Sequence, residues 1–282
     1  MGFFLALASA VFCAMWIILA KVVGSRKGNF WVNAATYQLV GAVIAFCFIF
    51  LSPQKVTLTW EALIPVVLAW IFTMISSGVG ILTNTYLEVS INTILSQFSL
   101  VGIFIGSVVF FQEEITPLRL IGAGLVFLAT VVVFARKSAM KDISLKGVQF
   151  RLIATSCFVV AMFCDKYNSA NYSTEIYVMF AYLMPGLGAA ITSRVKPQDF
   201  VKQIKSNLTI LLGMGISSFA AYYLMLQSFK HIDASLSLTI TSLSSVLVVI
   251  FGIIVFKERQ QLARKIIALI IVIAAGVILN FA

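Results

Sequence analysis

The stretch FQEEITPLRLIG, residues 111–122, is a charged turn between two apolar runs. A related stretch, FKERQQLARKII, occupies residues 256–267 and again separates two apolar runs. The equivalent charged residues lie 145 residues apart: Glu113 and Glu258, and Arg119 and Arg264. A charged turn that recurs within one chain indicates that the chain contains two copies of one structural unit.

The sequence around these turns is too apolar for a water-soluble domain. Of the 282 residues, 61% are hydrophobic and 11% are charged, and the mean hydropathy is +1.05. Soluble domains carry about 25% charged residues. Apolar windows of about twenty residues, long enough to cross a bilayer as a helix, recur along the whole chain. They predict an all-α membrane protein with ten transmembrane spans, near residues 3–23, 31–51, 62–82, 91–110, 117–135, 149–168, 175–193, 207–228, 235–255 and 263–281.

The spacing of 145 residues extends beyond the charged turns. It also pairs Lys21 with Lys166, Tyr37 with Tyr182, and Gly41 with Gly186. The ten spans therefore divide into two five-helix units, residues 1–138 and 146–282. Because five is an odd number of crossings, the second unit enters the membrane from the opposite side, and the units form inverted repeats. Inverted repeats are typical of secondary transporters, which bind their solute between the two halves near the middle of the membrane.

The charged turns themselves are interpreted as helix starts rather than as a substrate site. Thr116 and Pro117 supply an N-cap followed by a proline at the first helical position, so span five is predicted to start there. Glu113 and Glu258 precede spans five and ten, where a carboxylate interacts favourably with the positive end of the helix dipole.

The basic residues carry a topology signal. The net charge is +10, but its distribution favours membrane orientation over nucleic-acid binding. With the N-terminus outside, sixteen Lys and Arg residues, Arg151 among them, fall on the inner side and four on the outer side. Cytoplasmic loops carry such an excess. We therefore expect a multi-pass protein of the cell membrane with both termini outside the cytoplasm, and no nucleic-acid partner.

The chain resembles the drug/metabolite transporter superfamily in its ten-helix EamA-like branch. The resemblance rests on the lysine that ends span one, on the glutamate-containing turns VFFQEEIT and IVFKERQQ, and on the five-plus-five repetition. Both turns depart from the usual leucine-glycine-glutamate motif, which leaves the subfamily open. The resemblance implies a carrier that moves small organic metabolites, often outward, by alternating access.

Polar and aromatic residues predict where the solute cavity lies. Span nine contains ASLSLTITSLSS, residues 234–245, whose hydroxyls either satisfy backbone carbonyls and support helix packing or line a cavity. We expect spans one to four and six to nine to surround the cavity, with spans five and ten behind them. The candidate cavity residues are Trp16, Tyr37, Thr73, Ser77, Ser96, Gln97, Tyr182, Ser218, Tyr222, Thr241 and Ser242.

Three charged residues near the membrane core are candidates for gating or coupling. Lys21 and Lys166 are equivalent in the repeat, and Asp165 precedes Lys166. Ionisable residues inside a membrane are costly and indicate function. The alternative is that all three reach the membrane surface and act as interfacial anchors.

These features predict a secondary transporter for a small, amino-acid-like or similarly amphipathic solute, with export as the expected direction. A sugar-phosphate carrier would need several basic residues in the cavity, and only Lys21 and Lys166 are candidates. A lipid or lipid-linked-sugar flippase, or its membrane subunit, is the alternative. No catalytic or metal-binding motif occurs, so we expect no enzyme and no cofactor. The GxxxG at Gly102 and Gly106 indicates either packing between the halves or a homodimer face.

Overall fold

The structure, a computed structural model, describes residues 1–26, 28–49, 63–111, 116–134, 144–232, 237–238, 240–241, 243–257 and 262–280. The described residues form eleven α-helices and no β-strand, which confirms the all-α prediction for this part of the chain. The helices are α1 (Gly2–Gly24), α2 (Phe30–Ile49), α3 (Leu63–Thr83), α4 (Val89–Ser96), α5 (Phe98–Phe111), α6 (Pro117–Phe134), α7 (Leu145–Asn171), α8 (Thr174–Thr192), α9 (Pro197–Ser228), α10 (Ser244–Ile254) and α11 (Leu262–Asn280).

Six of the described helices are long and apolar enough to cross a membrane: α1, α2, α3, α7, α8 and α9. Shorter apolar helices cover Val89–Ile103 and Ser244–Ile254. A helix must contribute about twenty apolar residues to cross the hydrocarbon core. The chain is therefore a helical protein that passes through the membrane several times.

Several predicted spans differ from the observed helices, and the span predicted at 149–168, for example, is α7, which begins at Leu145. The span predicted at 207–228 belongs to a longer helix, α9, because Pro197 at its start is compatible with the first helical turn and the polar residues that follow continue the helix. The span predicted at 91–110 is helical but interrupted, because α4 ends at Ser96 and α5 begins at Phe98. Gln97 lies at the break between them.

Helix ends follow from local capping chemistry. The Ser144 hydroxyl accepts a hydrogen bond from the Gly147 backbone N–H at 3.2 Å, which starts α7 at Leu145. Pro117 is the first residue of α6, as the sequence predicts. Helix α10 ends at Ile254, where the Val255 backbone N–H donates to the Phe251 carbonyl, and the chain turns at Lys257 with a φ of 55°. Glu113 and Glu258 lie outside the described residues.

The main helix contacts join the first half of the chain, α1–α6, to the second half, α7–α11. Helix α1 packs against α9, α3 against α7, α2 against α8, and α6 against α11. With the spacing of 145 residues, α1 corresponds to α7 and α3 corresponds to α9. Replacing each helix by its counterpart in the repeat therefore turns the α1–α9 contact into the α7–α3 contact. The α2–α8 and α6–α11 contacts each join a helix to its own counterpart.

Glycines allow the two halves to approach closely. A Cβ atom at Gly41 would lie 2.5 Å from the Tyr182 ring, and one at Gly106 would lie 2.0 Å from the Phe163 ring. A Cβ atom at Gly102 would lie 3.0 Å from Val159. The structure thus places the GxxxG pair against α7, in the packing between the halves, and this contact gives no support to a homodimer face.

Candidate functional site

A cavity of about 270 Å³ lies between the two halves of the molecule. Ten of the predicted cavity residues line it: Trp16, Tyr37, Thr73, Ser77, Ser96, Gln97, Tyr182, Ser218, Tyr222 and Thr241. Ser242 lies outside the described residues. This volume is slightly below the usual range for ligand pockets, about 300–1,000 Å³. The cavity size fits a small organic molecule.

No described residue of α6 or α11 belongs to the cavity lining. The two helices pack against each other, and Ala275 of α11 is fully buried against Leu100. We therefore expect a water-soluble maleimide to modify a cysteine at Thr241 at least about tenfold faster than one at Ala275, because a dry, close-packed interior excludes the reagent. The measurement is the labelling rate in a variant without the four native cysteines. Faster labelling at Ala275 would contradict this arrangement.

Aromatic side chains from both halves form one part of the cavity wall. The rings of Trp16 and Tyr37 lie 6.1 Å apart, centre to centre, with 51° between their planes. The rings of Tyr182 and Tyr222 meet edge to face at 5.7 Å. The Tyr182 hydroxyl forms a 2.7 Å hydrogen bond with the Ser218 hydroxyl, which fixes the ring at the wall. These rings offer a solute an apolar surface with polar edges.

Gln38 is a cavity residue that the sequence analysis missed. Its side-chain amide donates a 2.8 Å hydrogen bond to the Ser77 hydroxyl, and its Oε1 atom is buried without a partner among the described residues. The sequence feature that could have identified it is a polar amide side chain inside the apolar span two, next to Tyr37. This feature is a weak signal because the counterpart of Gln38 in the repeat, Leu183, is apolar.

Each half contains a tight turn in its fourth span. The Gln97 backbone N–H bonds to the Ile94 carbonyl, and the Leu243 N–H bonds to the Ile240 carbonyl, at 3.1 and 3.0 Å. These bonds join residues three apart instead of four, which marks a local departure from α-helix. Both turns lie beside cavity residues. Interrupted helices next to the solute site are typical of secondary transporters.

Several polar atoms of the cavity lining have no hydrogen-bond partner among the described residues. They include the Oε1 atom of Gln97 and the hydroxyl oxygens of Thr93, Thr155 and Thr241. Buried polar groups of folded proteins are normally hydrogen-bonded to protein or water. These atoms are therefore available to a bound solute or to water in the cavity.

Arg151 is a second cavity residue that the sequence analysis missed. It was counted among the basic residues of the inner side with no role in the cavity, and its side chain on α7 lines the cavity. The physical reason is the start of the helix: α7 begins at Leu145, so Arg151 is six residues inside it, about 9 Å along the axis.

The three candidate gating residues lie outside the described cavity lining. Lys21 donates hydrogen bonds to the carbonyl oxygens of Asn84 and Leu87, at 3.1 and 2.7 Å. Asp165 is 1% exposed and accepts a short hydrogen bond from the Tyr177 hydroxyl. Lys166 is partly buried. None of the three side chains lines the cavity itself, but Lys21 contacts Asn84 and Asp165 interacts with Tyr222, and both of these partners line it.

A comparison with solved structures shows the fold of the chain. One solved structure, described as "Crystal structure of protein", is similar over 99% of this chain and 96% of its own, with a TM-score of 0.70 and 14% sequence identity. At this identity the likeness shows the fold alone. The comparison with curated proteins found no match.

The family follows from the second half of the chain. Residues 145–281 match the model of the EamA-like transporter family. An EamA-like transporter domain in this part of the chain is consistent with the resemblance to the drug/metabolite transporter superfamily. The family consists of transporters, in agreement with the expectation of a non-enzyme.

Proposed function

We propose that the protein is a secondary carrier that moves a small organic solute, amino-acid-like or similarly amphipathic, through the cavity by alternating access. The observation that carries the proposal is a small, polar-lined cavity between the two halves of a chain with an EamA-like transporter domain. Aromatic rings and hydroxyls together suit a solute with apolar and polar parts. We propose export as the direction.

We propose ten spans in two inverted five-helix units, residues 1–138 and 146–282, and the exchange of helix contacts supports a two-fold relation between these units. If the units are related by a two-fold axis in the membrane plane, a contact between α1 and α9 requires one between α7 and α3, and both contacts are present. A carrier of this design can exchange the conformations of its two halves, which opens the solute site to each side in turn.

The cavity gives the flippase alternative no support. A space of about 270 Å³ suits a small metabolite, and the described lining combines residues of both halves around it.

Purified protein in liposomes provides the direct test. We expect uptake of one or more compounds from a panel of amino acids, other small carboxylates and amines, and no increase in the movement of a fluorescent phospholipid between leaflets. Phospholipid movement without uptake of any compound would overturn the proposal.

A matched pair of variants on α9 tests whether the cavity is the pathway. Ser218 lines the cavity, whereas Ile216 is 54% exposed on the outside of the same helix. Ser218→Trp is expected to reduce the uptake rate about tenfold or more, since overfilling a packed site costs about 1–3 kcal/mol. Ile216→Trp should leave the rate nearly unchanged. Equal rates in the two variants would place the pathway elsewhere.

We further propose that the protein lies in the cell membrane with both termini outside the cytoplasm, as the distribution of basic residues predicts. A reporter enzyme that is active only outside the cytoplasm, fused after Ala282, is expected to be active, and a cytoplasmic reporter at the same position is expected to be inactive. The opposite result would reverse the orientation and leave the fold unchanged.

A further inference from the structure

Arg151 is the charged side chain of the described cavity lining. No described carboxylate lines the cavity with it, and its Nε atom is buried without a hydrogen-bond partner among the described residues. A charge inside a membrane protein is costly unless a partner neutralises it. The positive charge therefore lacks a counterion on the described wall of the cavity.

The surroundings of Arg151 offer hydrogen-bond donors rather than negative charge. Thr155 lies one helical turn further along α7, on the same face, and its buried hydroxyl has no partner among the described residues. Cys13 of α1 lies near the guanidinium group, and Ser244 of α10 lies near the Cys13 thiol. This is a small polar pocket of net positive charge at the α7 wall.

We propose that Arg151 binds the carboxylate of a solute that carries a single negative charge on that group. The proposal rests on the proposed carrier function and names its substrate class. A guanidinium group presents a planar set of N–H donors that matches a carboxylate with two parallel hydrogen bonds. The Thr155 hydroxyl can donate a further hydrogen bond.

The charge balance favours a carboxylate over a phosphate ester. One guanidinium group neutralises one carboxylate, whereas a phosphate monoester with two charges would leave one charge unbalanced in the described cavity. The expectation that only Lys21 and Lys166 could supply basic groups is thereby corrected, since Arg151 is the basic residue of the described lining.

The wall beyond Arg151 becomes apolar, which defines the rest of the solute. Along α7 the lining continues from Thr155 to Phe158 and Met162. Arg151 and Met162 are eleven residues apart, about 16 Å along the helix axis. A carboxylate at Arg151 therefore places a small apolar body between α7 and the aromatic side chains of the facing helices.

The test compares matched pairs of compounds that differ only in the carboxylate. The pairs are 3-phenylpropionate, 4-methylpentanoate and phenylalanine, each with its primary amide, and phenyl phosphate is added as a dianion. Binding to the purified full chain in detergent is measured by calorimetry. We expect at least one carboxylate to bind roughly 10- to 100-fold more tightly than its amide, the range for hydrogen bonds to charged groups, and phenyl phosphate to bind more weakly than that carboxylate.

Variants assign the preference to the residue. Arg151→Gln is expected to remove the preference for the carboxylate, and Arg151→Lys to retain part of it, because lysine keeps the charge but not the paired donors. Arg264→Gln is the control, since Arg264 donates to the Val132 carbonyl and lies outside the described cavity lining. If Arg151→Gln does not fold, the carboxylate preference of the Arg151→Lys variant is compared with that of the wild-type protein, and an unreduced preference in Arg151→Lys contradicts the proposal.

The proposal is overturned if no pair shows a preference for the carboxylate, if Arg151→Gln retains it, or if phenyl phosphate binds more tightly. Liposome uptake separates this outcome from failure of the carrier function. Uptake of neutral or cationic solutes without any preference for carboxylates would refute only the inference about Arg151. Absence of uptake for the entire panel would refute the carrier function, whereas the calorimetric result would still establish or refute an anion site.

Discussion

Liposomes that contain the Asp165→Asn variant are expected to take up solute at a rate that does not respond to an imposed pH gradient, whereas the gradient should accelerate uptake by the wild-type protein. The asparagine keeps the shape of the side chain but cannot exchange a proton. We therefore expect the response to the gradient to disappear completely, and exchange of solute between equal concentrations to continue.

The expectation follows from the surroundings of the Asp165 carboxyl group. One oxygen accepts the hydrogen bond from Tyr177, and the other, Oδ2, is buried without a partner among the described residues. Asn168 donates a 3.2 Å hydrogen bond to the same Tyr177 hydroxyl. Carboxyl groups buried inside membrane carriers are frequent sites of proton binding and release.

A path for coupling leads from this carboxyl group to the cavity. Tyr222 interacts with the carboxyl group of Asp165, and its ring also lines the cavity and contacts Tyr182. A change of charge at Asp165 can therefore alter the hydrogen bonding of a cavity residue through one intervening side chain. Coupling requires that the two conformations of the carrier interact differently with the proton.

Glu175 provides the matched control. It is a second buried carboxylate at the start of α8, and it accepts a 2.9 Å hydrogen bond from Tyr223. Glu175→Gln should leave the response to the pH gradient intact. If Glu175→Gln abolishes the response and Asp165→Asn does not, the coupling group is Glu175. If the wild-type protein shows no response, Asp165 has a structural function and the carrier does not use protons.

Several long helices were predictable from the sequence because membrane-spanning helices have a simple requirement. A helix that crosses the bilayer needs about twenty apolar residues, and short polar turns separate such runs in this chain. Helix α3, for example, covers Leu63–Thr83, close to the predicted 62–82. The repeat added information that single residues lack, since Tyr37 and Tyr182 are equivalent and both line the cavity.

The cavity position of Arg151 was missed because a difference of four residues at a helix start changes how deep in the helix a residue lies. With a span predicted from 149, Arg151 falls in the first turn of the helix, on the inner side. The Ser144 cap starts α7 at Leu145 and carries Arg151 into the helix. Hydropathy averages over a window, so it does not resolve a boundary set by one hydrogen bond.

The turn at Gln97 was not predictable for a related reason. The sequence around it contains neither proline nor glycine, the residues that most often interrupt a helix. Instead, Ser96 and Gln97 side chains both donate to the Thr93 carbonyl, at 2.5 and 3.4 Å. Side chains of this kind also occur in regular helices, and only the packing around them determines the outcome.

The Lys21→Ala variant is expected to make the cavity about tenfold more accessible from the side of the α3–α4 connection and to slow transport. Lys21, near the end of α1, donates to two carbonyl oxygens of that connection, those of Asn84 and Leu87. Each hydrogen bond to a charged group contributes about 1.5–3 kcal/mol. Even the lower value corresponds to about a tenfold shift between two conformations.

Transport slows because a carrier must visit both conformations in each cycle. If α1 separates from the α3–α4 connection when that end opens, the hydrogen bonds of Lys21 stabilise the closed end only. Loss of these hydrogen bonds shifts the population of the carrier towards the form that is open at this end, and the carrier returns from that form more slowly. In the proposed orientation this end faces the cytoplasm.

Labelling of a cysteine at Ser218 with a membrane-impermeant maleimide, applied separately to each side of the membrane, measures this shift. Lys146→Ala is the control, because Lys146 lies over the rings of Tyr86 and Phe150, at 5.6 and 5.8 Å, and is exposed beside the same connection. An exposed contact of this type contributes about 0.5–1 kcal/mol, so labelling should change little. Identical labelling of the Lys21→Ala variant and the wild-type protein from both sides would make Lys21 an interfacial anchor. A gate that depends on Lys21 differs from such an anchor because its hydrogen bonds must exist in one conformation and be absent in the other.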